Sequence, residues 1–329
     1  MRVLYAVQAT GNGHLSRAIE FYPIMSKYAD VDVLLSGIQG DLKLNFPVKA
    51  KMHGAGFVFG KNGGIDYTRT ILKTRPLRFF YDVFRLNLKE YDLIVSDFEP
   101  ISTWAAKWTN VMRVGLSHQA SFLSQKTPRP KMHNRFGEFI YRQFAPVDKY
   151  IGLHYKSFDK NIYTPVVRKA IRQLQLTEKD HVVVYLPAFS EHVFKSYLKK
   201  VKSISWKVFS KHTKLYTKEE NVEVFPIDND NWMKYLSSAY GAIIGAGFAS
   251  TSEMLYLKKR FMAIPMNDQY EQLCNAVALE SMGVSIVREI DETFDQKVKR
   301  WLGGSKPIDI DFPDHSEQIV KRVLNIDQK

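Results

Sequence analysis

Short runs of apolar residues, each bounded by glycine, proline or small polar residues, recur from one end of the chain to the other. In the first half residues 3–10, 31–36, 48–53, 91–97, 111–116 and 148–153 read as strands. In the second half residues 181–186, 206–210, 222–225, 242–245, 261–265 and 284–287 do so. The runs are continuously apolar rather than alternating, as in strands buried on both faces of a parallel sheet. Amphipathic stretches lie between them: 18–28, 68–90, 134–144, 187–201, 231–238, 291–302 and 314–324 are predicted helices. Pro76 falls inside the second of these and is expected to kink or divide it. Strand and helix alternate in both halves, which predicts an α/β fold with mainly parallel sheets.

Within that pattern, residues 242–283 stand out. A short apolar strand breaks at Gly247, a helix opens behind Ser250, Thr251 and Ser252, a second strand follows, and a polar loop, Asn267-Asp268-Gln269, leads into another helix. A glycine turn at a strand's carboxyl end is where open α/β sheets bind ligands, and the N–H groups of a helix start attract phosphate. Glu253 and the Asp268–Gln269 pair offer oxygens and an amide to sugar or ribose hydroxyls, so the stretch reads as a nucleotide-sugar pocket. Ser250-x-x-Glu253 is equally a capping box, in which both side chains serve the helix's own N–H groups.

Composition narrows the setting. The chain has 329 residues, enough for two domains, with hydrophobic content of 45% and charged content of 25%, as in soluble globular proteins. The single cysteine, Cys274, excludes a disulfide framework and reads as a small buried residue in a reducing compartment. The chain opens directly into a strand, and no apolar run reaches the roughly 18 residues of a membrane span. A formal charge of +13 calls for an anionic partner: a nucleotide-sugar, an anionic membrane surface or, with no supporting motif, nucleic acid. Metal chemistry finds no zinc spacing and no convincing D-x-D pair.

The 242–283 stretch resembles the donor-binding signature of GT-B glycosyltransferases. The nearest groups are the lipid II-forming N-acetylglucosaminyltransferase and galactolipid synthases, and the UDP-glycosyltransferases. The resemblance implies two Rossmann-like domains facing a cleft: residues 1–163 on the acceptor side and 164–329 on the donor side. The last helix would cross back onto the first domain. It further implies that Gly247, Phe248, Ala249 and Ser250 hold the diphosphate and that Glu253 takes the ribose hydroxyls. Asp268, Gln269 and Gln272 would hold the donor sugar, and Ile227, in a Pro-Ile-Asp stretch, would meet the base. Gly245-Ala246 stands where some members carry a basic residue. The first strand ends in Gly11-Asn12-Gly13-His14-Leu15-Ser16-Arg17, which resembles the amino-terminal loop of the same enzymes. By that resemblance Gly13 lies at the donor and His14 between acceptor and donor, with Asp97 orienting it; a structural cap is the other reading of each. A carboxylate on one ring nitrogen leaves the other as a base.

The expected activity is therefore metal-independent, inverting transfer of a hexose-type sugar from a nucleotide-sugar, most simply a UDP-sugar, to a hydroxyl acceptor, with no further cofactor. His118 is a second candidate base or sugar ligand, with Gln119 beside it. The basic and aromatic stretch 75–89 suits anionic lipid headgroups, which would place the protein at the cytoplasmic membrane face with a lipid or lipid-linked acceptor, a small hydrophobic alcohol being equally admissible. It also reads as an ordinary amphipathic helix whose aromatics cover the sheet. A UDP-sugar epimerase on the same fold and a non-catalytic nucleotide-sugar binder remain open.

Overall fold

The computed structural model describes residues 1–37, 44–56, 75–131 and 134–326. The first sheet contains β1 (Arg2–Gln8), β2 (Asp30–Ser36), β3 (Ala50–Met52), β4 (Leu93–Asp97), β5 (Met112–Ser117), β6 (Lys149–Leu153) and β7 (Ile162–Tyr163). Its spatial order is β3-β2-β1-β4-β5-β6-β7, every pair parallel. The second holds β8 (Lys179–Tyr185), β9 (Ser205–Ser210), β10 (Thr217–Glu219), β11 (Val222–Pro226), β12 (Ala239–Gly245), β13 (Arg260–Ile264) and β14 (Ser285–Ile286). Its order is β10-β11-β9-β8-β12-β13-β14, parallel except for β10 against β11. Strand order reverses between β1 and β4 in one sheet and between β8 and β12 in the other; such switch points open a crevice at the strands' carboxyl ends.

The helices are α1 (Asn12–Met25), α2 (Pro76–Arg85), α3 (Pro100–Ala105), α4 (Arg135–Gln143), α5 (Lys169–Arg172), α6 (Lys195–Lys199), α7 (Asn229–Ser238), α8 (Phe248–Tyr256), α9 (Tyr270–Glu280), α10 (Phe294–Gly304) and α11 (Ser316–Val323). Two of them depart from expectation in ways that bear on function. Residues 12–17, expected as a loop, are the first turns of α1, which starts directly behind the extended Gly11. His14 and Arg17 therefore stand three apart on one helical face. Of the two outcomes expected at Pro76 the kink is excluded: Pro76 occupies the first turn of α2, where its missing N–H costs nothing, and the helix ends at Arg85. The rest of the predicted helix, 68–74, lies outside the described residues. So do 57–64 of the glycine-rich segment and 38–41 of the turn after β2. The predicted helix 187–201 is reduced to one tight turn, Glu191–Val193, and α6.

One buried apolar cluster runs from the first sheet (Tyr5, Val7, Leu116) and Tyr155 just beyond β6 to Phe248, Ala276 and Val320 of the second half. α11 packs back against α1. There Tyr28 bonds Glu317, and the Arg322 guanidinium donates to Asn161 Oδ1 at 2.7 Å and to the Tyr163 hydroxyl at 2.9 Å.

Candidate active site

Asp97, the last residue of β4, is fully buried and receives two basic side chains from α1. Arg17 forks it, Nε donating to Oδ2 at 2.9 Å and Nη2 to Oδ1 at 2.7 Å. His14 Nδ1 lies 2.7 Å from the same Oδ1 and 2.8 Å from Arg17 Nη2. Burial pushes the Asp97 carboxyl up, but the charge of Arg17 and the hydrogen bonds of Arg17 and His14 more than reverse this and hold it below its ordinary value. The chain then turns through Phe98, left-handed at φ 54 and stacked on Phe144. That turn separates Asp97 from Glu99, whose carboxylate accepts the N–H groups of Ile101 and Ser102 and caps α3. The capping role open to Asp97 thus belongs to Glu99, and Asp97 is left to His14 and Arg17.

On the other side of the cleft, α8 begins at the switch point behind β12. Gly247 occupies its N-cap with no side-chain cap, and the Ser250 and Thr251 hydroxyls turn back to the Gly247 carbonyl at 3.1 and 2.8 Å. The Ser250–Glu253 capping box does not form. Glu253 is instead gripped by Arg168, whose Nε and Nη2 donate to its two oxygens at 2.5 and 3.0 Å. Burial raises the Glu253 carboxyl above its ordinary value against the pull of Arg168. The two half-sites meet: a β-carbon on Gly13 would stand 3.6 Å from Ala249 Cβ. The first turn of α1, carrying His14, therefore lies against the first turn of α8.

The remaining expected residues fall into three groups. Asp268 is exposed, Gln269 is half-buried with its Oε1 unpartnered, and Ile227 is exposed just beyond β11. Gln272, expected at the donor sugar, lies 3.9 Å from where a β-carbon on Gly245 would stand, and its Oε1 accepts the Met266 N–H at 3.1 Å, bracing the turn after β13. His118 and Gln119, expected at acceptor or sugar, form the seam between the domains. The His118 ring is fully buried, stacked 3.8 Å from Phe248, with Nδ1 at the Leu153 carbonyl and Nε2 at Asn275 Oδ1, both 2.8 Å. Gln119 Nε2 donates to Glu271 at 2.8 Å. With both ring nitrogens and a face engaged, His118 has no edge left for a substrate, and burial lowers its basicity. Arg17, quoted above only as part of the glycine loop, and Arg168 join the site through their carboxylate partners. The i, i+3 spacing from His14 marks Arg17, whereas nothing local pairs Arg168 with Glu253.

Two parallel-sheet domains meeting at their switch points, with a bare helix start on one side and a His–Asp pair on the other, define a GT-B glycosyltransferase. The family model "Glycosyl transferase family 1" matches residues 1–304, and the chain belongs to that family. The fold is similar to that of Arabidopsis thaliana UGT89C1 complexed with UDP, at 14% identity, TM-score 0.62, over 98% of this chain and 94% of that one. It is also similar to Acinetobacter baumannii MurG, at 11% identity, TM-score 0.58, over 98% and 99%. A third likeness is the glycosyltransferase SnogD from Streptomyces nogalater, at 12% identity, TM-score 0.55, over 99% and 94%. No curated protein matches the chain by sequence.

Proposed function

We propose that this glycosyltransferase moves a hexose-type sugar from a UDP-sugar to a hydroxyl acceptor in one inverting, metal-independent displacement. The observation that carries the reading is the contact of Gly13 with Ala249, which sets His14 beside the start of α8. His14 Nε2 takes the proton of the acceptor hydroxyl as its oxygen attacks the anomeric carbon. The bond from that carbon to the diphosphate breaks, and the negative charge of the departing oxygen develops before the first N–H groups and positive dipole end of α8. Glu253 faces the ribose hydroxyls, and Asp268 and Gln269 the sugar. UDP is named with the similarly folded UGT89C1, and Glu253, a buried acid on α8, supplies two oxygens suited to a diol.

The acceptor we assign is lipid-linked, presented at the inner face of the cytoplasmic membrane. The support is α2: Leu77 is 89% and Phe84 71% exposed, Phe84 stacks on the exposed Trp108, and Arg75, Arg78, Arg85 and Lys107 stand around them. Among the described residues no helix is long and apolar enough to cross a membrane.

Thermal unfolding with UDP, GDP, dTDP and their sugars tests the donor. A nucleotide at 100 times its Kd adds about 2.7 kcal/mol, and the shift is expected with UDP species and lost in Glu253→Gln. Absence of any shift rules out the donor pocket. Conversion of a UDP-sugar without acceptor would turn the reading to epimerisation.

A further inference from the structure

The crowding around Asp97 Oδ1 constrains where the His14 proton sits. Three polar atoms form a tight triangle: Arg17 Nη2 and His14 Nδ1 are each 2.7 Å from Oδ1 and 2.8 Å from each other. A ring nitrogen either carries a hydrogen or accepts one. In the first arrangement Nδ1–H donates to Asp97 and the lone pair is on Nε2. In the second Arg17 donates to a bare Nδ1 and the proton is on Nε2. The first arrangement sets two N–H donors, Nδ1 and Arg17 Nη2, 2.8 Å apart, but both donate to the one ionised oxygen between them. The second puts two lone pairs, one on Nδ1 and one on an ionised carboxylate, 2.7 Å apart with no hydrogen between them. It is tolerable only if Asp97 is protonated and donates its own O–H to Nδ1.

Which arrangement holds therefore depends on what keeps Asp97 ionised. The carboxylate is completely buried, and burial alone favours the neutral acid. Arg17, itself buried, supplies the opposing charge and, through its fork, the orientation. We propose that Arg17 is a positioning residue for the base: by holding Asp97 charged and aligned it fixes His14 as the Nδ1–H tautomer, leaving the Nε2 lone pair free for the acceptor hydroxyl. Without Arg17 the buried carboxylate takes up a proton from solvent and donates it to Nδ1, and the ring's own hydrogen shifts to Nε2, which then has no lone pair to act as a base. The catalytic consequence rests on the transfer reaction proposed above; the tautomer itself does not.

The ligand-free full-length protein, labelled with nitrogen-15 at histidine, is the material for the test. Long-range proton–nitrogen spectra at neutral pH, with the His14 ring assigned through His14→Gln, report which nitrogen is protonated. The expected result is a predominantly Nδ1–H ring in the wild type, a predominantly Nε2–H ring in Arg17→Gln, and the wild-type tautomer kept in Arg17→Lys, which retains the charge. A wild-type ring protonated on Nε2, or an Arg17→Gln ring unchanged from the wild type, overturns the proposal. The wild-type measurement decides even if Arg17→Gln does not fold. On turnover, Arg17→Gln is expected to lower kcat by about 100-fold while UDP still stabilises the protein. If the tautomers behave as expected and no nucleotide binds, it is the transferase reading that fails.

Discussion

Glu253 shows how far a residue's chemistry can be read in isolation. An acid in the first turns of a helix behind a glycine turn is a ribose ligand or a cap; the structure removes the cap and adds a partner, Arg168, from 85 positions away. Removing one member of such a buried pair leaves the other uncompensated, at about 3 kcal/mol. Arg168→Gln and Glu253→Gln are each expected to destabilise by that order in urea melts, and the double variant by clearly less than the sum. Strict additivity would mean that neither side chain holds the other. The pH dependence has a definite sign. A buried carboxyl raised above its unfolded value favours folding when neutral, and that contribution is lost as pH rises through the folded value. Arg168 limits the loss, so the deficit of Arg168→Gln relative to wild type should widen between about pH 4.5 and pH 7. The His14–Asp97 pair, 2.7 Å apart, was legible through the resemblance of the glycine loop and of the acid after β4, with a cap as the other reading of each residue. Arg168 was not, because its pairing is set by the path of the chain between domains. Gln272, expected at the sugar, shows a bond the sequence does not announce: its Oε1 reaches the backbone six residues back.

At the level of elements, apolar periodicity located both sheets, and the misses were short or polar. β10 is three exposed residues, Thr217–Glu219, and β7 only two, so neither makes an apolar run. α2 divides the expectation: Phe79, and Leu86 just past its end, pack on the buried cluster beneath as expected. Val83 and Asp82 take its buried positions, and Leu77, Phe80 and Phe84 face outward. An outward apolar face ringed by arginine and lysine matches an anionic bilayer, whose headgroups meet the cations while the side chains enter the acyl boundary. Sedimentation with vesicles should show binding to phosphatidylglycerol-containing bilayers and little to pure phosphatidylcholine. Burying a Leu or Phe side chain contributes about 1.5–3 kcal/mol, so the double variant Leu77→Ser, Phe84→Ser should bind roughly tenfold more weakly or worse. Equal binding by the variant would detach α2 from any membrane role.

The whole molecule is held with its two domains in contact, and the contact is specific at the level of single atoms. Tyr155 meets Thr251 at 2.6 Å, His118 meets Asn275, and Tyr270 donates to Glu138 at 2.8 Å, with Arg129 gripping the same carboxylate. Gly137 makes the last of these possible: a β-carbon there would lie 2.2 Å from Tyr270 Cδ1, where the ring now packs. Gly137 belongs to α4 of the first domain and Tyr270 to α9 of the second, so a side chain at 137 acts on the seam between them. Tyr270 is ordered against Tyr141 and Cys274, which leaves it little room to swing away. Gly137→Val should therefore part the domains, at about 1–3 kcal/mol for the overpacked contact. Parting them separates Gly13 from Ala249 and His14 from the helix start it serves. Small-angle scattering of the variant should give a larger radius of gyration than wild type, UDP stabilisation should survive because the donor residues proposed here lie in one domain, and transfer should fall. An unchanged radius with unchanged transfer would show that the close approach at Gly137 is relieved locally, and that domain contact at this seam does not set the active geometry.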